Sequence, residues 1–365
     1  MIMDMKVEIL TEVNIGSGEV LSQFSDYIYD DGTVYYIDHD RLLEALLKKK
    51  NGEKMLDQFI MIVKNQAKKN VRQRLKLKNF LEEAGLDYKE YALRKIPVKD
   101  EIKEQIQLHV KSSGQPYIPG SSLKGAIRTA LISFFFNLSK STLKSYNPQR
   151  KSYKPKQKYF GQDIFGNYGE DVLKYLHVSD TMPFQVEALA IARFYKFDLK
   201  SRKMEIPTVK EVIAQGSVST FRMKTNAKKD EVKDDFAFLQ EKQEDALLKI
   251  INEYTLKNIT TELEQLQKHK SDEIKDIEEF YDNLLQTVKE ADWTREAFLR
   301  IGSGKTYYDN TVANAIIERL SKEDLQDLIR RTFKNADANF FPKTRTIIMQ
   351  GFYKKVPGWI KISKV

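Results

Sequence analysis

Polar and apolar positions alternate or recur along this chain in segments that predict its secondary structure. Residues 6–13 alternate with a period of two, which is typical of a half-buried strand. Two short runs at 26–29 and 33–37 flank an Asp-Asp-Gly turn at 30–32, and this pattern predicts a β-hairpin. From 41 to about 63 the apolar residues recur at helical spacing, so a helical insertion follows the first strands.

The middle of the chain predicts one helix between several strands. Apolar residues at 102–110 indicate a strand, and a helix that ends near residue 137 follows it. Runs rich in Val and Ile at 176–179, 185–197 and 209–221 predict further strands, separated by turns that contain Pro or Gly.

The C-terminal part begins with a long helical segment. Apolar positions keep a helical period from 230 to 289, and this stripe predicts a helical core or a subunit interface. The remaining elements predicted are a helix near 293–299, a glycine turn at 302–304, helices near 312–320 and 322–333, and strands near 344–350 and 359–362.

Strand and helix patterns alternate twice along the 365 residues, which predicts an α+β fold with two sheet-plus-helix domains. The first domain is expected to cover 1–200, with the helical insertion at about 41–96. The second is expected to cover 201–365, with the helical segment at about 230–290. Each half contains a glycine-bearing loop.

Composition narrows the classes of function. The net charge of +9 and the pI of about 9.2 favour an anionic partner, and RNA or DNA suits a mixed-sign surface with a basic excess. The absence of cysteine excludes disulfides, thiolate catalysis and cysteine-ligated metal sites. The sequence shows neither a signal-peptide pattern nor an apolar run of membrane-spanning length, so we expect a cytoplasmic protein without a membrane partner.

The segment 117–129 carries the clearest candidate chemistry, because it predicts a loop that leads directly into a helix. Either Ser121 or Ser122 is placed to cap that helix, whose first N–H groups would then face an anion. Lys124 and Arg128 stand at positions i and i+4, so both project from one helical face. The same pattern also fits a capped amphipathic helix with solvated basic residues.

Two further segments are strongly basic. The first, at 64–78, is equally consistent with a solvated helix face. The second, at 145–158, interleaves Lys, Pro and Ser with tyrosines, which suits single-stranded RNA through phosphate contacts and base stacking. An ordinary surface loop has the same composition.

The motif Pro-Tyr-Ile-Pro-Gly-Ser-Ser-Leu-Lys-Gly-Ala-Ile-Arg at 116–128 resembles a signature of the RAMP superfamily of CRISPR-associated proteins. Residues 10–19 resemble the first strand and glycine turn of those proteins, and His-Val-Ser-Asp at 177–180 resembles their short strand that ends in Asp. Ile-Gly-Ser-Gly-Lys-Thr at 301–306 stands where their C-terminal glycine-rich loop is expected.

Within the superfamily, the chain is most similar to the family of fifth subunits of the Csm series, from type III-A effector complexes. The chain length, the long helical segment and Phe-Pro-Lys-Thr-Arg-Thr at 341–346 carry this resemblance. It implies two RRM-like, ferredoxin-like domains with helical insertions. It also implies a non-catalytic subunit that binds the 3′ end of the CRISPR RNA (crRNA) and is needed for maturation of the crRNA intermediate.

The implied partners are the crRNA and other Csm-complex subunits, especially the RAMP backbone subunit, with host nucleases as further candidates. No cofactor, no metal and no catalytic residue are expected. We expect phosphate contacts from the two glycine-bearing loops and from three further basic residues, and the complete expected RNA-binding set is Gly120, Ser121, Ser122, Lys124, Gly125, Arg128, Gly302, Gly304, Lys305, Arg222, Lys343 and Arg345.

Two segments of the sequence raise enzymatic alternatives. The segment that ends in Lys305 and Thr306 resembles the end of a nucleotide-binding P-loop, but Leu299 stands where that pattern requires glycine. The stronger alternative is a metal-independent endoribonuclease with a histidine as general acid or base. Its candidates are His177, which lies near Asp180 in the sequence, and His39.

Overall fold

The computed structural model describes residues 2–66, 76–136, 161–167, 169–241, 243–333, 336–337 and 341–365. The strands of the first half are β1 Ile2–Ile9, β2 Gly16–Leu21, β3 Tyr27–Asp30, β4 Thr33–Ile37, β5 Ala92–Pro97, β6 Ile106–His109, β7 Lys111–Ser112 and β8 Gln115–Pro116. The later strands are β9 Leu176–Val178, β10 Leu189–Asp198, β11 Thr208–Ile213, β12 Val218–Thr225, β13 Glu296–Arg300, β14 Thr344–Gln350, β15 Tyr353–Lys355 and β16 Trp359–Lys364.

The helices combine long packed elements with single turns. In chain order they are α1 His39–Leu47, α2 Gly52–Gln66, α3 Leu77–Glu83, α4 Gly120–Phe135, α5 Gln162–Phe165, α6 Glu244–Lys268, α7 Lys275–Glu290, α8 Tyr307–Asn310, α9 Ala313–Ile317 and α10 Lys322–Thr332. Short 3₁₀ helices cover Tyr88–Tyr91, Val172–Tyr175, Val186–Ala188, Asp234–Leu239 and Asp272–Ile274.

A five-stranded sheet with the order β13-β16-β1-β12-β9 forms one half of the fold. Alternation along β1 sends Met5, Val7 and Ile9 into the core, where they pack with apolar residues of α4 and α6. β16 lies between β13 and β1, and the rest of this sheet follows a known arrangement. In chain order the remaining elements are β1, α4, β9, β12, α6 and β13, which is a β-α-β-β-α-β unit.

A six-stranded sheet with the order β15-β14-β10-β11-β6-β2 forms the other half. One face packs on α6 and α7 through Phe197 and Ile347. The opposite face carries Phe194, Val212 and Ile348 as a small apolar cluster. The small sheet β3-β4-β5 packs with α1 and α3 into a separate cluster that includes Ile28 and Leu42.

The strand pairing does not divide at residue 200. Each large sheet takes strands from both sides of that position, and β1 at the N-terminal end lies between β12 and β16. The Leu10 N–H also donates to the Trp359 carbonyl at 2.9 Å. The two sheets, rather than the two halves of the sequence, are therefore the units of packing.

Most elements predicted from the periodicity are present, and the α+β class is confirmed. The hairpin of β3 and β4, the helix α4 and the strand β14 lie where the pattern places them. The region 41–96 is not wholly helical, since it ends in β5, and α1 and α2 are separate helices. The run at 209–221 is two strands, β11 and β12, with the turn between them.

The helix predicted near 293–299 is wrong, because 293–295 form a turn and the following residues form β13. Ala297 and Leu299 pack into the core shared with α4 and α6, whereas Phe298 packs into the core on the other side of the sheet. A strand buried on both faces reads as a continuous apolar run and loses the alternation that identifies a strand.

Candidate nucleic-acid interface

Helix α4 begins at Gly120, and its first turn is capped from another part of the chain. Pro119 is the N-cap residue, so the prediction that Ser121 or Ser122 caps the helix is wrong. The Gly120 N–H donates to the Asp180 carboxylate at 2.7 Å. An internal carboxylate therefore already complements the positive end of this helix dipole.

The two glycines of α4 have different roles. A Cβ atom at Gly120 would lie 2.3 Å from the Val178 carbonyl oxygen, so this glycine lets α4 approach the end of β9. Gly125 is exposed, and a Cβ atom there would have no neighbour within 4 Å among the described atoms. Only Gly125 has the open surroundings that a phosphate contact needs.

Lys124 and Arg128 lie on one face of α4, as their spacing predicts, and both bind the segment 171–176, which leads into β9. The Lys124 amine donates to the carbonyls of Leu173 and Leu176 at 2.8 and 2.7 Å, and burial lowers its pKa. Arg128 forms an ion pair with Asp171 at 2.9 Å. RNA contact by these two residues stays a prediction. It requires each side chain to leave its present partner, or to bind that partner and an RNA phosphate together.

The glycine-rich loop 302–304 follows β13 and leads into the single turn α8. Gly302 has a φ of 71°, and a Cβ atom there would lie 2.3 Å from the Asn14 carbonyl oxygen. The Ser303 N–H donates to the same carbonyl at 2.7 Å, and the Ser303 hydroxyl donates to the Asn14 side chain at 2.7 Å. The loop is therefore fixed on the segment that joins β1 to β2.

A buried ion pair between Arg300 and Asp309 holds the backbone of the glycine-rich loop. Arg300 is 4% exposed, and its guanidinium donates to the Gly304 carbonyl at 2.9 Å and to Asp309 at 2.8 Å. Asp309 in turn accepts from the Thr306 hydroxyl at 2.9 Å, which closes a capping box at the start of α8. Arg300 and Asp309 therefore hold both ends of the 304–306 backbone.

Lys210 on β11 reaches this loop across the face of the six-stranded sheet. Its amine donates to the Ser303 hydroxyl at 3.3 Å and to the Gln107 side chain at 2.7 Å, and it lies over the Phe194 ring. Burial lowers the pKa of Lys210, and burial also lowers the pKa of Lys305 at the end of the loop. Within the described ranges neither amine lies at ion-pair distance from a carboxylate, and the charge of Asp309 only partly offsets the effect of burial on the pKa of Lys305.

Partly buried cations of this kind favour an anionic ligand. Desolvation makes a charged amine less stable, and a nearby negative charge restores that loss. A phosphate oxygen at Lys210 and Lys305 would supply the missing charge. The sequence offered little signal for Lys210, because it is one polar residue in a strand between Val209 and Glu211.

The four motif segments that are distant in the sequence meet in space. The Ile15 N–H donates to His109 Nδ1 at 3.1 Å, and His109 Nε2 donates to the Tyr117 carbonyl at 2.9 Å. These bonds join the first glycine turn to the segment that precedes α4. Asn14 joins the same turn to Ser303, and Asp180 joins the short strand β9 to Gly120.

The three further basic residues of the expected RNA-binding set differ in exposure. Arg222 is exposed on β12 and lies 3.5 Å from the Asp4 carboxylate. Lys343 is exposed and forms an ion pair with Asp198 at 2.9 Å.

Arg345 is 3% exposed, and its guanidinium forms an ion pair with Glu262 of α6 at 2.6 Å. The prediction that Arg345 contacts RNA is therefore wrong for this fold, because a buried guanidinium with a carboxylate partner does not reach a polymer at the surface.

The two candidate histidines lie in different parts of the described structure, and His39 Nε2 lies 3.5 Å from the Asp26 carboxylate. His177 is exposed on β9, and the neighbouring Asp180 carboxylate is engaged at Gly120. His39 lies 2.8 Å from the Ser25 carbonyl and belongs to the first turn of α1, which Asp38 caps. His109 is buried, and desolvation lowers its pKa to about 4.

The structure also bears on metal ligands, membrane-spanning helices, the P-loop resemblance and the second basic segment. The described part of the chain contains no group of three metal-ligating side chains and no helix long and apolar enough to cross a membrane. The P-loop resemblance gains a strand before the loop, but Leu299 still replaces the required glycine and α8 is only 4 residues long. The basic segment 145–158 lies outside the described residues.

Comparison with known proteins identifies relatives over the whole chain. The profile of the RAMP superfamily matches residues 6–307. A Methanocaldococcus jannaschii protein named CRISPR system Cms protein Csm5 is 27% identical over 396 aligned positions, which cover 100% of this chain and 89% of that protein. A Streptococcus thermophilus protein of the same name is 24% identical over 232 positions, which cover 59% of this chain and 62% of that protein.

Solved structures share the fold. A chain in the cryo-EM structure of a Csm–crRNA–target RNA ternary complex of a type III-A CRISPR-Cas system matches with a TM-score of 0.68 and 19% identity, over 100% of both chains. The crystal structure of T. onnurineus Csm5 matches with a TM-score of 0.64 and 18% identity, over 97% of this chain and 99% of that one.

Proposed function

This chain belongs to the RAMP superfamily, and on that basis we propose that it is a non-catalytic crRNA-binding subunit of a type III-A CRISPR effector complex. It holds the guide near its 3′ end and helps to define the length of the mature crRNA. It acts in the cytoplasm beside other Csm subunits, with the RAMP backbone subunit as its principal neighbour. Host nucleases are the candidates for the trimming itself.

The observation that carries the proposal is the pair of desolvated amines beside the glycine-rich loop. Lys210 and Lys305 lack an ion-pair partner among the described residues, and Lys210 touches the loop through Ser303. Contacts of this kind recognise the phosphate backbone and carry no sequence information. A guide-binding subunit needs that property, because each guide carries a different spacer and the target is read by base pairing.

The fold is compatible with RNA binding by RRM-like units. We assign the β-α-β-β-α-β part of the five-stranded sheet as one ferredoxin-like, RRM-like domain, and the six-stranded sheet as the core of the second. Exposed Gly125 and the first turn of α4 provide a further place for backbone contact if Lys124 and Arg128 change partners.

Two experiments test the proposal. In the first, the purified full-length protein is incubated with an end-labelled crRNA intermediate, with and without EDTA, and the RNA length is measured on a denaturing gel. We expect the RNA to keep its length. Cleavage at a fixed site that is abolished by His177→Ala or His39→Ala would replace the proposal with an endoribonuclease.

The second experiment tests maturation. Effector complexes are purified from cells that express the chain and from cells that lack it, and their crRNA lengths are compared. We expect the intermediate to persist when the chain is absent. Mature-length crRNA in complexes without the chain would contradict the proposed role.

A further inference from the structure

A cavity of about 400 Å³ lies between α10 and the elements it packs against, and its walls have two kinds of chemistry. We call it the α10 cavity. Aromatic and aliphatic side chains form the apolar wall of its lining, and lysine, glutamine and threonine side chains form the polar part. The residues that define it are Tyr307, Ile316, Leu325, Ile329, Phe333 and Phe341 on the apolar wall, with Gln265, Lys268, Lys322, Gln326 and Thr332 as the polar part.

The aromatic wall is one connected cluster. The Tyr307 and Phe341 rings lie 4.8 Å apart between centroids, and the Phe333 and Phe341 rings lie 4.7 Å apart. Phe333 is 38% exposed, so part of this cluster is open to a ligand. Exposed aromatic rings provide a stacking surface for nucleobases, because every base has a π-face.

The size and polarity of the cavity distinguish it from a packing defect. Closely packed interiors contain few voids larger than a water molecule, whereas ligand pockets begin at about 300 Å³. A second cavity of about 450 Å³, between α1 and α2, is lined largely by aliphatic residues and Phe59. Asp26, His39 and Lys64 also line that second cavity, so the α10 cavity differs from it in having three aromatic rings in contact and glutamine side chains beside them. Glutamine side chains can bind base edges.

The position of the α10 cavity relates it to the proposed phosphate contact. Tyr307 stands two residues after Lys305, so their Cα atoms lie no more than about 7 Å apart. The bond of Asp309 to Arg300 fixes α8 and therefore the Tyr307 backbone. An RNA phosphate at Lys305 and an unstacked base in the cavity would thus belong to neighbouring parts of one strand.

We propose that the α10 cavity binds one unstacked nucleobase of single-stranded RNA, next to the phosphate held at Lys305. The inference rests on the proposed RNA-binding function and adds a second kind of contact to it. Phosphate contacts hold the strand, and the aromatic wall takes one base out of the stack. The contact holds whichever base stands at this place in the strand, because stacking on an aromatic ring tolerates every base.

The test uses the full-length protein and a 20-nucleotide single-stranded RNA with a free 3′ end, which sets the register under the proposed function. One abasic nucleotide is moved along the strand, and its position is counted from that end. Affinity is measured by fluorescence anisotropy for the wild type and for Phe333→Leu. We expect one abasic position to weaken wild-type binding by about tenfold, and Phe333→Leu to weaken binding of the intact RNA by a similar factor. At that abasic position the substitution should cause no further loss.

Phe59→Leu in the other cavity is the matched control, and it should leave every affinity unchanged. Thermal melting checks that each variant is folded. If Phe333→Leu unfolds the protein, Tyr307→Leu replaces it in the same set of affinity measurements. Additive effects at every abasic position would overturn the proposal. A second result would also overturn it: the Phe333→Leu protein binds RNA normally but no longer assembles into the effector complex. In that case the cavity would bind a side chain of another protein. If the wild type bound no RNA, the proposed function itself would fall.

Discussion

The Lys210 amine lies 3.3 Å from the Ser303 hydroxyl, which connects strand β11 of the six-stranded sheet to the glycine-rich loop after β13. Ser303 is itself fixed to Asn14 by a backbone bond and a side-chain bond. The Lys210 amine therefore has a fixed position on the face of the six-stranded sheet, next to Ser303. With two donors on Gln107 and Ser303, its third donor faces no carboxylate within the described residues, and this makes it the centre of the proposed phosphate contact.

Replacing both central lysines should weaken RNA binding. We expect Lys210→Met with Lys305→Met to lower the affinity for single-stranded RNA by at least about tenfold, because each loses a charge-assisted bond to phosphate. The slope of log affinity against log salt should fall by about one for each lysine. Lys289→Met on the exposed surface of α7 is the control. An unchanged salt slope in the double variant would place the phosphate contact elsewhere.

The two glycines of α4 should respond in opposite ways to alanine. Gly120→Ala places a methyl group 2.3 Å from the Val178 carbonyl, so we expect a loss of about 1–3 kcal/mol in the free energy of unfolding. Gly125→Ala enters open space on a helix and should gain about 0.5–1 kcal/mol. Urea denaturation measures both. Equal effects would show that the packing of α4 on β9 is not as described.

The ion pair under the glycine-rich loop should be important for stability. Arg300→Met leaves Asp309 buried without its cationic partner, and we expect a loss of about 3–5 kcal/mol in the free energy of unfolding. Lys257→Met removes the partner of Glu318 in a pair that water reaches, and it should cost far less. Thermal and urea unfolding of the two variants compare these losses directly. Similar losses would contradict the structural role of the buried pair.

Acid should destabilise the fold through His109. The Ile15 N–H can only donate and the Tyr117 carbonyl can only accept, so the ring must be neutral with its proton on Nε2. Burial lowers its pKa to about 4, whereas the unfolded chain binds a proton near pH 6.5. The stabilisation is therefore complete above about pH 6.5 and is lost as the pH falls toward 4, with a total of about 3 kcal/mol.

His109→Gln isolates this effect from other titrating groups. Between pH 7 and pH 4 the wild type should lose about 3 kcal/mol more than the variant, because glutamine does not titrate. Urea denaturation at a series of pH values gives the difference. Parallel pH profiles of wild type and variant would show that His109 is protonated in the fold or does not contribute.

The sequence predicted the local features of the site but not their assembly. The motif segments at 10–19, 116–128, 177–180 and 301–306 were each visible as turns or short elements. Their meeting depends on side chains such as Asn14, which is buried and bonded across 289 positions to Ser303. Local periodicity contains no information about contacts over such separations.

The errors have the same origin. From the sequence, Arg345 resembles a surface cation near a motif. In the structure it is buried, because its guanidinium pairs with the carboxylate of Glu262, 83 positions away. The run near 293–299 resembles a helix because two cores cover β13 from opposite sides and hide the alternation of a strand. In both cases tertiary packing, which the sequence pattern does not show, decided the outcome.

The most direct test of the account is the affinity of the purified full-length protein for three single-stranded RNAs of unrelated sequence, measured from 50 to 200 mM salt. The account predicts similar affinities for all three and a steep, equal fall with salt, because phosphates carry the binding. Tight binding of one sequence alone, or binding that salt does not weaken, would contradict it.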